Sequence, residues 1–119
     1  MKIPFKAPLS SIIRLLYKEW LGNTFPLFYT GIYGGHLLGV RSPAGLSFYD
    51  WETQELIRRI EIQPRTIFWS ETGEMCCITT EDSFFILRYQ QDKVSEAMEN
   101  KDELVTEDGV EDAFEVNSV

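Results

Sequence analysis

Short apolar segments between residues 30 and 90 are separated by residues that favour turns. Runs such as HLLGV and SFFIL contain few polar residues, as in strands that are covered on both faces. Ser42-Pro43-Ala44-Gly45 and Glu71-Thr72-Gly73 carry the proline and glycine that mark turns. The pattern predicts strands near residues 30–33, 36–41, 46–50, 55–61, 66–70, 74–79 and 83–89.

Residues 10–21 have a helical pattern instead. Ser10 or Ser11 can cap the start and Gly22 can end the helix. Its apolar face consists of Ile12, Ile13, Leu15, Leu16 and Trp20. This face either docks on a membrane or a partner, or packs on the helix's own domain.

The pattern changes again after Gln90. Residues 93–98 predict a short helical turn, and the acidic residues 99–109 predict a mobile linker. Apolar positions between Val110 and Val116 predict a short helix or the approach to another strand. We expect this element to lack a partner, and residues 92–112 to be the most mobile stretch.

The β-rich region contains the same unit twice. Residues 36–51 align with residues 74–89 without a gap at an offset of 38 residues, which places Leu46 on Phe84 and Gly35 on Gly73. A four-stranded propeller blade repeats at about 40–45 residues. One blade cannot bury both of its faces, so a chain with about two blades is expected to be either part of a larger ring or not a stable unit.

The charge of the chain is concentrated at one end. Residues 92–119 carry ten acidic residues and two lysines, which account for the whole net charge of −8. The neutral remainder presents no basic surface for nucleic acid. No apolar run approaches the roughly 20 residues that span a membrane, and the adjacent Cys76 and Cys77 suit a reduced, cytosolic setting.

Candidate catalytic and metal-binding groups do not form a recognisable set. His36 lacks an accompanying nucleophile pattern, Cys76 lacks neighbours that would lower its pKa, and these residues with Cys77 lack metal-ligand spacing. We therefore expect no catalysis, no metal, no cofactor and no small-molecule ligand.

Other candidate residues have structural explanations. Gly31, Gly34 and Gly35 do not form a phosphate-binding loop and fit turns or close approaches. Arg58 and Arg59 point to opposite faces of one strand, and the acidic pairs Glu107-Asp108 and Glu111-Asp112 fall in the predicted linker. Trp51, Phe68 and Trp69 form either an exposed binding surface or packing between blades.

One segment has the order of strand, turn and strand that is typical of a WD repeat. In residues 46–60 a strand ends in Tyr49-Asp50, a four-residue turn follows, and a second strand continues. His36 lies only 14 residues before Asp50, too close for the Gly-His of such a repeat, so no role is assigned to it.

Longer blocks resemble the coatomer beta-prime family of WD-repeat vesicle-coat proteins, in its second propeller. These blocks are GIYGGHLLGVRS (31–42), LSFYDW (46–51), LIRRIEIQP (56–64), IFWSETGEM (67–75), EDSFFILRY (81–89) and TEDGVEDAFEV (106–116). The resemblance implies an all-β fold of about two blades of a WD-type β-propeller. The residue pattern adds a short N-terminal helix and an acidic C-terminal linker. It divides the chain into residues 1–25, outside the resemblance, the blades at 26–91, and the linker with the start of a further element at 92–119.

The resemblance also implies a function. We expect a structural fragment of the coat of Golgi-derived vesicles, acting in retrograde Golgi-to-endoplasmic-reticulum and intra-Golgi transport. Its partners would be other coatomer subunits, notably the alpha subunit, with only indirect contact to Golgi and vesicle membranes and a place in the cytoplasm on their cytosolic face. The alternative is a free-standing β-rich adaptor that binds peptides. As a partial piece, the chain is expected to leave two apolar outer faces uncovered and to associate.

Overall fold

The structure of the chain is a computed structural model that describes residues 31–116. The elements of this part are β1 (Gly31–Tyr33), β2 (Leu38–Ser42), β3 (Gly45–Tyr49), β4 (Leu56–Ile60), β5 (Thr66–Trp69), β6 (Met75–Thr79), β7 (Phe84–Tyr89), α1 (Gln91–Glu99), α2 (Lys101–Leu104), β8 (Val105–Thr106), β9 (Gly109–Val110) and β10 (Phe114–Val116). The seven strands predicted between residues 30 and 90 are confirmed as β1 to β7. The helix predicted at residues 10–21 lies outside the described residues.

The strands form two antiparallel sheets. The first sheet has the order β1-β2-β3-β4-β9-β8, and the second has the order β5-β6-β7-β10. Each sheet therefore begins with three strands that pair in chain order and are joined by hairpins. The all-β fold expected from the sequence is confirmed.

The 38-residue repeat appears in the pairing of the hairpins. Leu38 pairs with Tyr49 between β2 and β3, and the residues 38 positions later, Cys76 and Leu87, pair between β6 and β7. The offset does not extend to the first strand of each unit. Gly39 pairs with Tyr33, six residues earlier, whereas its equivalent Cys77 pairs with Phe68, nine residues earlier. The central hairpin of each unit is the part that the repeat predicts correctly.

Asp50 builds the turn between β3 and β4. Its carboxylate oxygen Oδ1 accepts hydrogen bonds from the backbone N–H groups of Glu52 and Thr53, at 2.8 and 2.9 Å. An aspartate that accepts from the backbone two or three residues later stabilises such turns. Gln54 completes the turn with a φ of 62°. The predicted four-residue turn after Tyr49-Asp50 is confirmed.

The main core lies between the two sheets. Leu46, Phe48 and Ile57 of the first sheet pack with Ile67 and Ile78 of the second, and all five side chains are buried. A second cluster lies on the other face of the first sheet and contains Leu38, Val40, Tyr49, Trp51 and Leu56. The first four are also buried, so the expectation of two uncovered outer faces is wrong for this sheet.

Residues 90–113 form an insertion between the third and fourth strands of the second sheet. The repeat would place a fourth strand at residues 94–98, but α1 occupies these positions and β10 pairs with β7 instead. Between α1 and β10 along the chain, β9 joins the first sheet, where its Gly109 pairs with Arg58 of β4. The N–H of Arg59 also donates to the carbonyl of Asp108 at 2.9 Å.

The insertion corrects the prediction of an acidic linker without structure. Val94, Ala97, Val110 and Ala113 are buried in the main core, while the acidic side chains stay on the outside. The short helical turn predicted at residues 93–98 is confirmed within α1. The element expected near Val110–Val116 does have partners, since β9 pairs with β4 and β10 pairs with β7.

Candidate interaction surface

The outer face of the second sheet presents a row of apolar side chains to solvent. Phe68, Cys77 and Ile86 lie side by side across β5, β6 and β7. The neighbouring row is formed by Thr66, Thr79 and Phe84. Phe68 is 58% exposed and Phe84 is 62% exposed, whereas Cys77 and Ile86 are half-buried. We define these six residues as the outer apolar face.

A third row closes the face at one end. Met75 of β6 lies next to Arg88 of β7, and Arg88 lies next to Glu115 of β10. Arg88 and Glu115 are exposed and carry opposite charges. The face thus has an apolar centre and a charged end, which is the arrangement of many protein interfaces.

The repeat relates this exposed face to a buried one. Cys77 and Ile86 stand where Gly39 and Phe48 stand in the first sheet, because the two hairpins have the same register. Phe48 is 0% exposed and contacts Trp69 of the second sheet with ring centroids 5.8 Å apart. The outer apolar face is therefore the counterpart of a face that packs against another sheet.

His36 lies in an aromatic cluster between the two sheets. Its ring lies 5.8 Å from that of Trp69 and 5.4 Å from that of Tyr89. It also lies directly against Gly73, where an added Cβ would be 2.5 Å from its Nδ1. These contacts give His36 a packing role.

The two cysteines occupy different environments. Burial raises the pKa of the Cys76 thiol from 9.0 to about 12, and the neighbouring Cys77 adds a smaller effect in the same direction. A thiol that stays protonated is a poor nucleophile. Cys77 is half-buried on the outer apolar face, and the structure shows both cysteines as free thiols.

Two of the three aromatic candidates pack inside the protein. Trp51 is buried and its Nε1–H donates to the carbonyl of Gly35 at 2.9 Å. Trp69 is half-buried against Phe48, Tyr89 and His36. Of the three, Phe68 belongs to the exposed face. Both roles left open by the sequence, packing and exposure on a surface, are therefore found among these residues.

The remaining candidates are spread over the described part of the chain. Arg58 pairs with Gly109, and Arg59 donates through Nε to the hydroxyl of Ser47 at 3.3 Å. The glycines and acidic pairs lie as follows: Gly31 in β1, Gly34 and Gly35 buried after it, Glu107-Asp108 between β8 and β9, and Glu111-Asp112 between β9 and β10. Within residues 31–116, no three His, Cys, Asp or Glu side chains come together in a group that could hold a metal ion. None of the helices described there is long and apolar enough to cross a membrane.

The sequence of the chain matches a known family. The model of the COPA/B second beta-propeller matches residues 16–118. The chain belongs to this family. The match to the COPA/B second propeller begins ten residues before residue 26, where the sequence analysis places the start of the blades. The resemblance stated from the sequence blocks is confirmed.

Individual members of the propeller family give the same assignment. The chain is 69% identical to coatomer subunit beta' of Rattus norvegicus over 85 residues and 68% identical to that of Homo sapiens. It is 51% identical to coatomer subunit beta' of Drosophila melanogaster. Each match covers 71% of this chain and 9% of the relative, so the chain spans about a tenth of the length of these curated relatives.

Phe84 belongs to the outer apolar face, but from the sequence it is named only as the repeat equivalent of Leu46 and not as a candidate binding residue. The signal that could have found it is the repeat, which aligns Phe84 with Leu46. Leu46 is fully buried between the sheets. A large apolar residue that is exposed at the equivalent position of another unit is a candidate for contact with a further unit.

Proposed function

We propose that the chain is a structural part of a coatomer subunit and contributes two blades of its second propeller. The observation that carries this proposal is the outer apolar face, which is equivalent by repeat to the buried side of the first sheet. The family match and the names of the relatives supply the assembly in which this face would be covered. A neighbouring blade of a longer polypeptide is the surface that fits it.

In this proposal the polypeptide acts without catalysis in the coat of Golgi-derived vesicles. It would serve retrograde transport from the Golgi to the endoplasmic reticulum and transport within the Golgi, on the cytosolic face of these membranes. Its partners would be other coatomer subunits, notably the alpha subunit. Contact with the membrane would be indirect, because residues 31–116, which the structure describes, carry many more acidic than basic side chains and so favour no anionic lipid headgroups.

A chimera tests this function. Residues 31–116 replace the matching segment in the rat coatomer subunit beta', and co-purification of the coat complex from cells is measured. We expect the chimera to recover the coat. Phe68→Asp combined with Phe84→Asp should reduce recovery strongly, because two buried charges would face a neighbouring blade.

The matched control places two charges at exposed positions away from the outer apolar face. Ala44→Asp with Ser95→Asp changes the turn between β2 and β3 and the exposed side of α1, and should leave recovery unchanged. If the Phe68 and Phe84 double variant assembles as well as this control, the outer face is not an interface within the coat. A 119-residue chain that is monomeric and binds peptides through this face would then favour a free-standing adaptor.

A further inference from the structure

The insertion carries a groove that the propeller fold does not require. It has a volume of about 250 Å³ and lies between α1, α2 and the loop that joins β9 to β10. Buried Ala97 and Val110 line its floor, and Leu104 on its wall is 42% exposed. None of the residues of α2 is buried, so this short helix holds Leu104 at the surface. The groove can accept one apolar side chain.

Four carboxylates surround this apolar floor. Glu96 comes from α1, Glu103 from α2, and Glu111 and Asp112 from the loop after β9. All four are exposed. Within the described part of the chain, none of their carboxylates forms an ion pair or accepts a hydrogen bond. Lys93 is the cation that lines the groove.

The insertion as a whole is negatively charged, like the rim of the groove. Residues 90–113 contain nine acidic residues and two lysines. One of these lysines, Lys101, forms an ion pair with Glu55 of the turn before β4 and does not line the groove. The rim therefore attracts cationic groups and repels nucleic acid and anionic lipid. The acidic insertion of a second copy would be repelled from this rim as well.

We propose that this groove binds a protein segment in which one aliphatic side chain is flanked by lysine or arginine residues. The aliphatic side chain would contact Leu104, Ala97 and Val110. The flanking cations would lie against the rim carboxylates, which accept hydrogen bonds from ammonium and guanidinium groups. This site lies on the insertion, separate from the outer apolar face.

A labelled peptide provides the direct test. Fluorescein-labelled Lys-Lys-Leu-Lys-Lys with blocked ends is titrated with the 119-residue chain, and fluorescence anisotropy gives Kd. We expect Lys-Lys-Ser-Lys-Lys to bind about tenfold more weakly and Glu-Glu-Leu-Glu-Glu to give no binding. Raising the salt from about 50 to 300 mM should weaken the first peptide further, because the rim charges are exposed.

Variants locate the binding to the groove. Leu104→Ser, and separately Glu103→Gln with Glu111→Gln, should each weaken Lys-Lys-Leu-Lys-Lys about tenfold. Glu71→Gln with Glu74→Gln makes the same charge change on the exposed turn before β6 and should change Kd by less than twofold. The proposal would be overturned if the groove variants and the control variant lost the same amount of affinity, or if the Leu and Ser peptides had the same Kd. Binding would then reflect only the attraction between the acidic chain and a cationic peptide. Repeating the titration on the chimera separates failure of the groove from failure of the proposed function, because coat recovery does not depend on this peptide.

Discussion

At the scale of single residues, two equivalent glycines make room for aromatic rings of the other repeat unit. A Cβ on Gly35 would lie 2.2 Å from Cδ1 of Trp69. A Cβ on Gly73, which has a φ of +78°, would lie 2.5 Å from Nδ1 of His36. Each unit thus receives an aromatic ring of the other at the same point of the repeat. The sequence alignment pairs these glycines correctly, but only the three-dimensional contacts show why both positions lack a side chain.

Tyr89 and Cys76 make the free energy of unfolding depend on pH in the alkaline range. Burial raises the pKa of Tyr89 from 10.0 to about 12, with a smaller contribution from the negative charge of Asp50, and burial raises that of Cys76 to about 12. The unfolded chain releases both protons at lower pH than the folded chain. Their contribution to stability is therefore complete below pH about 9 and is lost as the pH rises towards 12.

We expect the free energy of unfolding in urea to fall between pH 9 and pH 11. Tyr89→Phe removes one of the two titrating groups while keeping the ring, and its free energy of unfolding should fall less steeply over the same range. Measurements at pH 7 correct for the packing effect of the substitution. Parallel pH profiles for the two proteins would contradict the assignment to Tyr89.

At the scale of elements, the hairpins could be predicted from the sequence and the insertion could not. The turn residues and the 38-residue offset fix the register of β2–β3 and β6–β7, because both are local features. The pairing of β4 with β9 joins Arg58 to Gly109 across a long stretch of chain and rests on two-residue strands. No local pattern encodes such a contact. The acidic residues also concealed the apolar positions Val94 and Ala97, which α1 turns towards the core.

Gly109 controls how the insertion docks on the first sheet. Its φ is +92°, and an added Cβ would lie 2.4 Å from the carbonyl oxygen of Ile57. Since this neighbour is backbone, it cannot move aside as a flexible side chain could. We expect Gly109→Val to lower the free energy of unfolding by about 1–3 kcal/mol.

Hydrogen exchange provides a local measurement of the same effect. The N–H of Arg59, which donates to the carbonyl of Asp108, should exchange faster in Gly109→Val. Glu111→Val adds the same side chain at an exposed position of the same insertion and should leave Arg59 protected. Unchanged protection of Arg59 in Gly109→Val would show that β9 docks without a requirement for glycine.

At the scale of the whole molecule, the two sheets have unequal outer surfaces. Leu38, Val40 and Tyr49 on the first sheet are buried, whereas Phe68 and Phe84 on the second are exposed. Contiguous exposed apolar patches promote association. Self-association is therefore expected through one face, and not through the two faces expected from the sequence.

Sedimentation velocity should reveal this association at micromolar concentrations. We expect the average mass of the 119-residue chain to rise with concentration, and Phe68→Ser with Phe84→Ser to shift it towards the monomer. Val116→Ser, which changes an exposed apolar residue at the end of β10, should have little effect. A wild-type chain that stays monomeric at tens of micromolar and melts sharply would show that the outer apolar face is tolerated in water.

The route of the insertion has a consequence for synthesis on the ribosome. β4 is made early, but Gly109, which pairs with its Arg58, follows 51 residues later. At about 5–20 residues per second, this delay lasts roughly 3–10 s. During that interval the nascent first sheet has a strand edge without its final neighbour, and such edges can pair with other chains. The first sheet is therefore open to capture by a chaperone, or by a neighbouring nascent chain, until the acidic insertion has left the ribosome and closed its edge.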